Sequence, residues 1–268
     1  MIISLPNVVL LSIKGKDAER YCNARLTQNI KTLNVNATKE CAALSSSGKV
    51  LSYGRIKKIT QEEFLLLCDG GDPEEQRKII AQFIVADRVS VEIIPVYGYH
   101  SFSSVVDVDT SLVQFDSERF GQTGFDFCVT TAIDKNLGDY TLFEAQRIRA
   151  GKISFPSEIN QKTFLSEWPS SAALCFGKGC YVGQETIEKI DALGTTPKRI
   201  LLLTSSEKIN LSPGEKVLSL SGEIIGEVLS SGIDEKGTAV FARVVNEEEQ
   251  FQICSIKAKE FTQANPIV

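Results

Sequence analysis

The octapeptide Lys178-Gly179-Cys180-Tyr181-Val182-Gly183-Gln184-Glu185 carries the strongest chemical signal in the chain. It sets one cysteine, Cys180, between two glycines and just ahead of a stretch that can begin a helix. A thiolate in such a place faces the unsatisfied N–H groups and the positive dipole end of that helix, and Lys178 stands two residues away. Both influences lower a thiol pKa and favour nucleophilic attack or metal ligation. The same residues also suit a plain turn in which Cys180 is a small buried hydrophobe, since free cysteines are commonly buried.

The elements that must position this loop are read from periodicity. Asp17 is placed to cap a helix reaching about Asn29, with Tyr21, Cys22, Leu26 and Ile30 near helical spacing. Residues 39–45, 50–59 and 63–68 read as strands, with turns at Ser46-Ser47-Gly48-Lys49 and Thr60-Gln61-Glu62. Pro73 starts a second helix, and Ile79, Ile80, Phe83 and Ile84 give it one apolar face. A strand over 89–94 follows, closed by Pro95. Between Tyr97 and Asp139 the pattern weakens to β-like runs at 104–108 and 126–130. A helix over 139–150 ends at Gly151, as a left-handed C-terminal cap ends one. The loop of about 30 residues leading to the octapeptide is long enough to suggest a functional role. Beyond Gly194-Thr195-Thr196-Pro197 the chain turns to short strands at 199–204, 216–220, 224–231, 238–245 and 251–261. Five or six such strands in roughly 70 residues imply a small antiparallel barrel. The expectation is an α+β fold, with an N-terminal α+β region over 1–195 and a C-terminal β-barrel over 196–268.

Bulk composition narrows the function classes. A chain of 268 residues with 43 % hydrophobic and 24 % charged residues can bury a sizeable core. Its apolar runs are too short to span a bilayer, and its start lacks signal- and transit-peptide character, so a cytoplasmic location is expected. A net charge of −5 argues against a broad nucleic-acid surface. Seven cysteines with no C-x-x-C fit neither a disulfide scaffold nor a structural zinc site, and most should be buried. With one histidine, His100, there is little material for a His-based metal site or a Cys-His dyad. The P-loop and dinucleotide fingerprints also fail on spacing at Ser47–Val50 and Gly177–Gly183.

Lys-Gly-Cys-Tyr-x-Gly-Gln-Glu resembles the signature of the YgfZ-type folate-binding proteins. These are relatives of the glycine-cleavage T-protein, an aminomethyltransferase, and assist the maturation of iron–sulfur enzymes. Further segments agree in order: Gly15-Lys16-Asp17-Ala18 with Arg25-Leu26-Thr27-Gln28-Asn29-Ile30, Ser47-Gly48-Lys49-Val50-Leu51, Ala86-Asp87-Arg88-Val89, Arg147-Ile148-Arg149-Ala150-Gly151 and Ala239–Val244. The resemblance implies a T-protein-like architecture and a tetrahydrofolate or one-carbon derivative as cofactor. It also implies iron–sulfur enzymes or assembly proteins as partners, including tRNA-methylthiolating ones, with no membrane. Cys180 would act as the functional thiolate, or as one ligand of a transient cluster bridged to a partner, since clusters typically need four thiolates.

Folate sets two recognition problems. Its pterin head offers adjacent N–H donors to a carboxylate and a flat ring to apolar walls, and its glutamyl tail wants a cation. Glu158, seven residues after Gly151 where T-proteins place a pterin-binding acid, is the first choice for that carboxylate, and Glu167 is the alternative. Trp168 and Tyr181 are candidate ring walls, although either would equally serve as a core aromatic. Lys178 is expected to tune the thiol or meet an anion, and Arg199 to reach the anionic tail. Gly179 and Gly183 are expected where no side chain fits, with Gln184 and Glu185 orienting the loop or facing the ligand. Cys175 is expected in the core.

One departure stands out. Relatives continue after Gln-Glu with a basic stretch, whereas this chain reads Thr186-Ile187-Glu188-Lys189-Ile190-Asp191-Ala192-Leu193-Gly194. That argues against RNA or phosphate contacts from this helix. Three functions therefore compete. The first is an accessory factor with little or no enzymatic activity, and the second a tetrahydrofolate-dependent aminomethyltransferase. The third is a binding module that has lost its ligand. The T-protein wants an acid on the strand after the hairpin, and Val50–Lys57 contains none, which favours the accessory factor.

Overall fold

The computed structural model describes residues 1–102, 111–133, 137–168, 171–194, 196–245 and 253–266. The expected run at 104–108 lies outside them. The architecture is α+β, as the sequence suggests, and its strands form three sheets.

The first sheet orders its five antiparallel strands β3-β4-β5-β2-β6. They are β2 (Val9–Lys14), β3 (Thr38–Leu44), β4 (Val50–Lys58), β5 (Glu63–Cys68) and β6 (Ser90–Ile94). Strand alternation divides its side chains between two faces. Val9, Leu11 and Ile13 pack with Cys22 and Leu26 from around helix α1 (Ala18–Arg25) and Ile80 of helix α2 (Pro73–Ala81). Leu10, Leu65 and Leu67 point the other way, onto Val113, Phe115 and Cys128 of the second sheet. That sheet orders β1-β7-β9-β8, from β1 (Ile2–Leu5), β7 (Tyr97–Ser101), β8 (Ser111–Ser117) and β9 (Gly124–Val129).

The remaining strands close into a barrel ordered β10-β13-β12-β11-β14-β15. These are β10 (Lys198–Ser205), β11 (Lys216–Leu218), β12 (Ile224–Asp234), β13 (Gly237–Val245), β14 (Ile253–Ile256) and β15 (Lys259–Gln263). Closure removes free edges, which a six-stranded unit this small would otherwise expose.

Two helix ends differ from expectation for local reasons. Helix α1 stops at Arg25, because Leu26 turns extended and Thr27 N–H donates to the Ala42 carbonyl at 2.9 Å. Asp17 precedes that helix but makes no side-chain cap; its carboxylate accepts from the Arg88 backbone N–H at 2.9 Å. Helix α2 does start at Pro73, with Asp72 accepting from Glu75 N–H at 2.9 Å. The expected 139–150 helix is a 3-10 turn over Tyr140–Phe143 followed by α3 (Glu144–Arg149), and Gly151 ends it at φ +67°.

The long segment after Gly151 is a wedge and not a surface loop. Ile153, Phe155, Ile159, Leu165, Trp168 and Ala173 are buried in one core. They meet Leu44, Val50 and Tyr53 of the first sheet, Ile148 of α3, Ile187 of α4 (Gln184–Leu193), and Ile200, Leu202 and Phe241 of the barrel. The segment is thus held by packing on several sides, as positioning a site requires.

Candidate functional site

The octapeptide is fixed from below by the residues that follow α1. Cys175 N–H donates to the Thr27 carbonyl at 3.1 Å and Val182 N–H to the Ala24 carbonyl at 3.2 Å. Thr27 Oγ1 donates to the Ala173 carbonyl at 2.6 Å, and Gln28 Nε2 to that of Ala172 at 3.1 Å. The Arg25–Ile30 motif is therefore the clasp on the signature loop, which gives two distant sequence motifs one physical purpose.

Gly183 precedes α4 at φ +84°, and a Cβ there would lie 2.6 Å from the Ser45 carbonyl oxygen, so the Ser45–Gly48 turn abuts the helix start. Gly179 is different: its φ is +97° but open space surrounds it, so the dihedral rather than crowding demands glycine. Cys180 is exposed, while Cys22, Cys41, Cys68 and Cys128 are buried. Burial pushes the Cys68 and Cys128 thiols up to about 12, which leaves them inert as nucleophiles. Cys175, expected in the core, is half-exposed.

The other residues of the octapeptide take up definite positions. The Lys178 ammonium, expected to tune the thiol or meet an anion, is buried, donates to the Asn23 carbonyl and lies 5.0 Å from the Tyr181 ring centroid. Burial pushes its pKa down to about 8. Tyr181, a candidate ring wall or core aromatic, is buried in the same core as Ile187, and burial pushes its phenol up to about 12. Gln184 orients the loop, accepting from Tyr181 N–H at 3.2 Å and donating to Glu188. Glu185 is exposed in the first turn of α4.

Both glutamates chosen for a pterin are buried and paired with arginines. Glu158 is fully buried, with Arg147 Nη2 and Nη1 donating to it at 2.8 and 3.0 Å. It also accepts from Ser154 N–H at 2.5 Å and from Ser230 Oγ. Glu167 is buried as well: Arg243 donates from Nε and Nη2 at 2.6 and 2.8 Å, and Phe164 N–H at 3.0 Å. Both acids tie the wedge to its surroundings, Glu167 to a barrel strand.

A pocket of about 380 Å³ lies where the wedge meets the first sheet. It falls within the range of roughly 300–1,000 Å³ usual for small-molecule sites. Its walls are Trp168, Ala150, Gly151, Ile153, Ala172 and Pro266; Lys152, Ser171 and Asn265 add polar groups, and Glu40, Tyr53, Arg55 and Arg119 complete the lining. A Cβ on Gly151 would lie 2.7 Å from Pro266 and 3.1 Å from the Trp168 ring, so glycine lets those two close together. Of the candidate ligand-binding residues read from the sequence, Trp168 alone lines this pocket. Arg199 lines a neighbouring pocket of about 500 Å³ with Trp168, Phe176, Ile190 and Asp191.

The polar side of the first pocket rests on a buried charge network. Arg119 donates to Asp69 and Asp126 at 2.7 Å each, and Arg55 lies 3.0 and 3.1 Å from the same acids. His100 Nδ1 is 2.8 Å from Asp126. Burial alone would raise the Asp126 pKa, but Arg119 and Arg55 hold it well below the usual carboxylate range. Glu40 reaches this network from β3, accepting from Tyr53 Oη at 2.7 Å and lying 3.5 Å from Arg55 Nη2. Glu40 and Arg55 are register partners across β3 and β4, a pairing that period-2 alternation and strand register would have revealed. Among the described residues, no three His, Cys, Asp or Glu side chains gather to hold a metal ion, so a resident cluster does not fit.

Comparison with known proteins supports the resemblance read from the octapeptide. Over 280 aligned positions the chain is 23 % identical to the tRNA-modifying protein YgfZ of Escherichia coli, covering 92 % of this chain and 86 % of that protein. The similarity to YgfZ is distant but spans most of both chains. It is also 26 % identical over 215 positions to an "Uncharacterized protein" of Haemophilus influenzae, covering 75 % of this chain and 72 % of that one. The fold matches the glycine cleavage system aminomethyltransferase T of Bartonella henselae with a TM-score of 0.81. That match spans 100 % of this chain and 86 % of the other at 12 % identity, so the T-protein fold is shared while the side chains have diverged. No family model matches the chain. No helix among the described residues is long and apolar enough to cross a membrane.

Proposed function

We propose that this protein is a folate-binding accessory factor that supports assembly or repair of iron–sulfur enzymes, tRNA-methylthiolating ones included, through Cys180. The observation that carries the reading is a physical link between pocket and thiol. Trp168, Ser171 and Ala172 line the pocket, and the same segment runs on to the exposed Cys180, anchored by Thr27 and Gln28. Ligand binding at one end of such a segment can bias the presentation of the other.

A reduced folate suits the pocket chemically: an indole and aliphatic walls for the flat ring, and a polar floor for its donors. Bound there, the folate would supply a one-carbon unit. The chain's own residues hold and orient it, with Trp168 against the ring and Lys152 among the lining side chains. Cys180, exposed ahead of α4, is available to a partner protein as a single ligand of a shared cluster or as a thiol nucleophile. The acids Glu188 and Asp191 on α4 give that helix a character unsuited to binding nucleic-acid phosphate.

One observation favours a second reading. Glu40 supplies to the pocket the acid that β4 lacks, and a tetrahydrofolate-dependent aminomethyltransferase needs such a group. Incubating the protein with tetrahydrofolate and an aminomethyl-loaded carrier protein separates the two. The accessory factor retains the folate on equilibrium dialysis and forms no methylenetetrahydrofolate. Steady turnover would replace it with the transferase, and absence of binding would reject both.

A further inference from the structure

We infer that Glu40 is the carboxylate that reads the aminopyrimidinone edge of a pterin bound in this pocket, an inference that rests on the folate reading above. A 2-amino-4-oxopyrimidine presents its 2-amino group and the adjacent ring N–H side by side, a donor pair that one carboxylate accepts in bidentate fashion. Glu40 is the sole carboxylate among the described residues lining the pocket. The two acids that the sequence suggests for this task are fully engaged by Arg147 and Arg243.

Glu40 keeps acceptor capacity. An ionised carboxylate offers about four lone-pair sites, and Glu40 meets Tyr53 at 2.7 Å and Arg55 at 3.5 Å, with its side chain 22 % exposed. Those two contacts also fix its rotamer, since Tyr53 and Arg55 are themselves buried. Charge points the same way. Arg55 and Arg119 face three carboxylates, Asp69, Asp126 and Glu40, so the two guanidinium groups are shared among more acids than their own number. Asp69 and Asp126 are sealed beneath the two guanidinium groups, which leaves Glu40 as the member turned to an incoming ligand. A donor-rich edge completes the site at Glu40.

The chain contains one tryptophan, Trp168, and it lines the pocket, so its fluorescence reports occupancy directly. The probes are 5-formyltetrahydrofolate and its analogue carrying a methyl in place of the 2-amino group. The wild type is expected to bind the parent compound about 30-fold more tightly than the analogue, as the loss of a charge-assisted hydrogen bond predicts. Glu40→Gln is expected to lose affinity for the parent by a similar factor and for the analogue, which keeps only the ring N–H contact, by a smaller one, so that discrimination falls sharply. Equal affinity of the wild type for both compounds overturns the role of Glu40 without any variant, and so does a Glu40→Gln protein that discriminates as strongly as the wild type. Failure of the wild type to bind either compound overturns the folate reading itself, and the inference with it.

Discussion

Arg147 clasps Glu158 through both terminal nitrogens, at 2.8 and 3.0 Å, with both side chains out of reach of water. The pair joins the end of α3 to the wedge, and Ser230 adds a tie to barrel strand β12. A residue that the family resemblance marks for ligand binding therefore acts here as a structural rivet. Burying two charges is favourable only when they are paired this well, and removing one partner leaves the other stranded.

Glu158→Ala should thus destabilise the protein by about 3–5 kcal/mol, because Arg147 would remain buried without its main counter-charge. Urea unfolding followed by circular dichroism checks this. Fluorescence titration with 5-formyltetrahydrofolate at low denaturant should show nearly unchanged affinity in the fraction that stays folded. A stable variant that loses folate would return Glu158 to the binding site.

Trp168 depends on Gly151 for its place. A methyl at Gly151 would press on Pro266 and the indole, at a backbone φ of +67° that side chains avoid. Gly151→Ala should cost about 1–2 kcal/mol in stability and weaken folate-induced quenching, because the ring wall moves. Unchanged melting and quenching would show that the wall tolerates the shift.

Cys180 should be the first thiol to react. Iodoacetamide on the native protein should modify Cys180 well before Cys22, Cys41, Cys68 and Cys128, which are buried and need unfolding to react. Peptide mass mapping reads this directly. Cys180→Ser should melt within about 0.5 kcal/mol of the wild type, as exposed substitutions do. A melting temperature lowered by many degrees would mean the thiol packs in the core.

Lys178 should leave a signature in the pH dependence of stability. Burial pushes its folded-state pKa down to about 8, against 10.5 for the ordinary side chain. Below pH 8 both folded and unfolded chains carry the proton, and the full penalty of burying the charge applies. Between about 8 and 10.5 the unfolded chain binds more protons, so stability rises with pH. The gain is on the order of 2–3 kcal/mol. Lys178→Met should lack this rise when the two proteins are unfolded side by side at pH 7.5 and 10. Parallel slopes would show that the amine stays charged throughout.

Much of the architecture was legible because its signals are local. Pro73 after Asp72, the left-handed Gly151 and the short strands beyond residue 196 each rest on turn and cap chemistry within a few residues. The wedge was not legible: Ile153, Phe155 and Ile159 follow no helical or strand period, and their burial comes from fitting between sheet and barrel. At the site, the octapeptide set Cys180 just ahead of a stretch able to begin a helix, where α4 starts, while whether the thiol is buried or exposed was left open. Partner choice defeated the rest. Nothing in the sequence near Glu158 or Glu167 announces that Arg147 and Arg243 will claim them. Lys178 is adjacent in sequence to the thiol loop, yet its ammonium turns inward to the Asn23 carbonyl. Glu40 was overlooked because its meaning arises only when β3 pairs with β4 and sets it opposite Arg55.

The most direct test of the account is genetic complementation. A bacterial strain lacking its own YgfZ gene would receive this chain or its Cys180→Ser form, with iron–sulfur-dependent tRNA methylthiolation as the readout. The wild type is expected to restore methylthiolation, and Cys180→Ser, present at equal soluble level, is expected not to. Equal rescue by both forms would contradict the role of the thiol, and rescue by neither would contradict the proposed function.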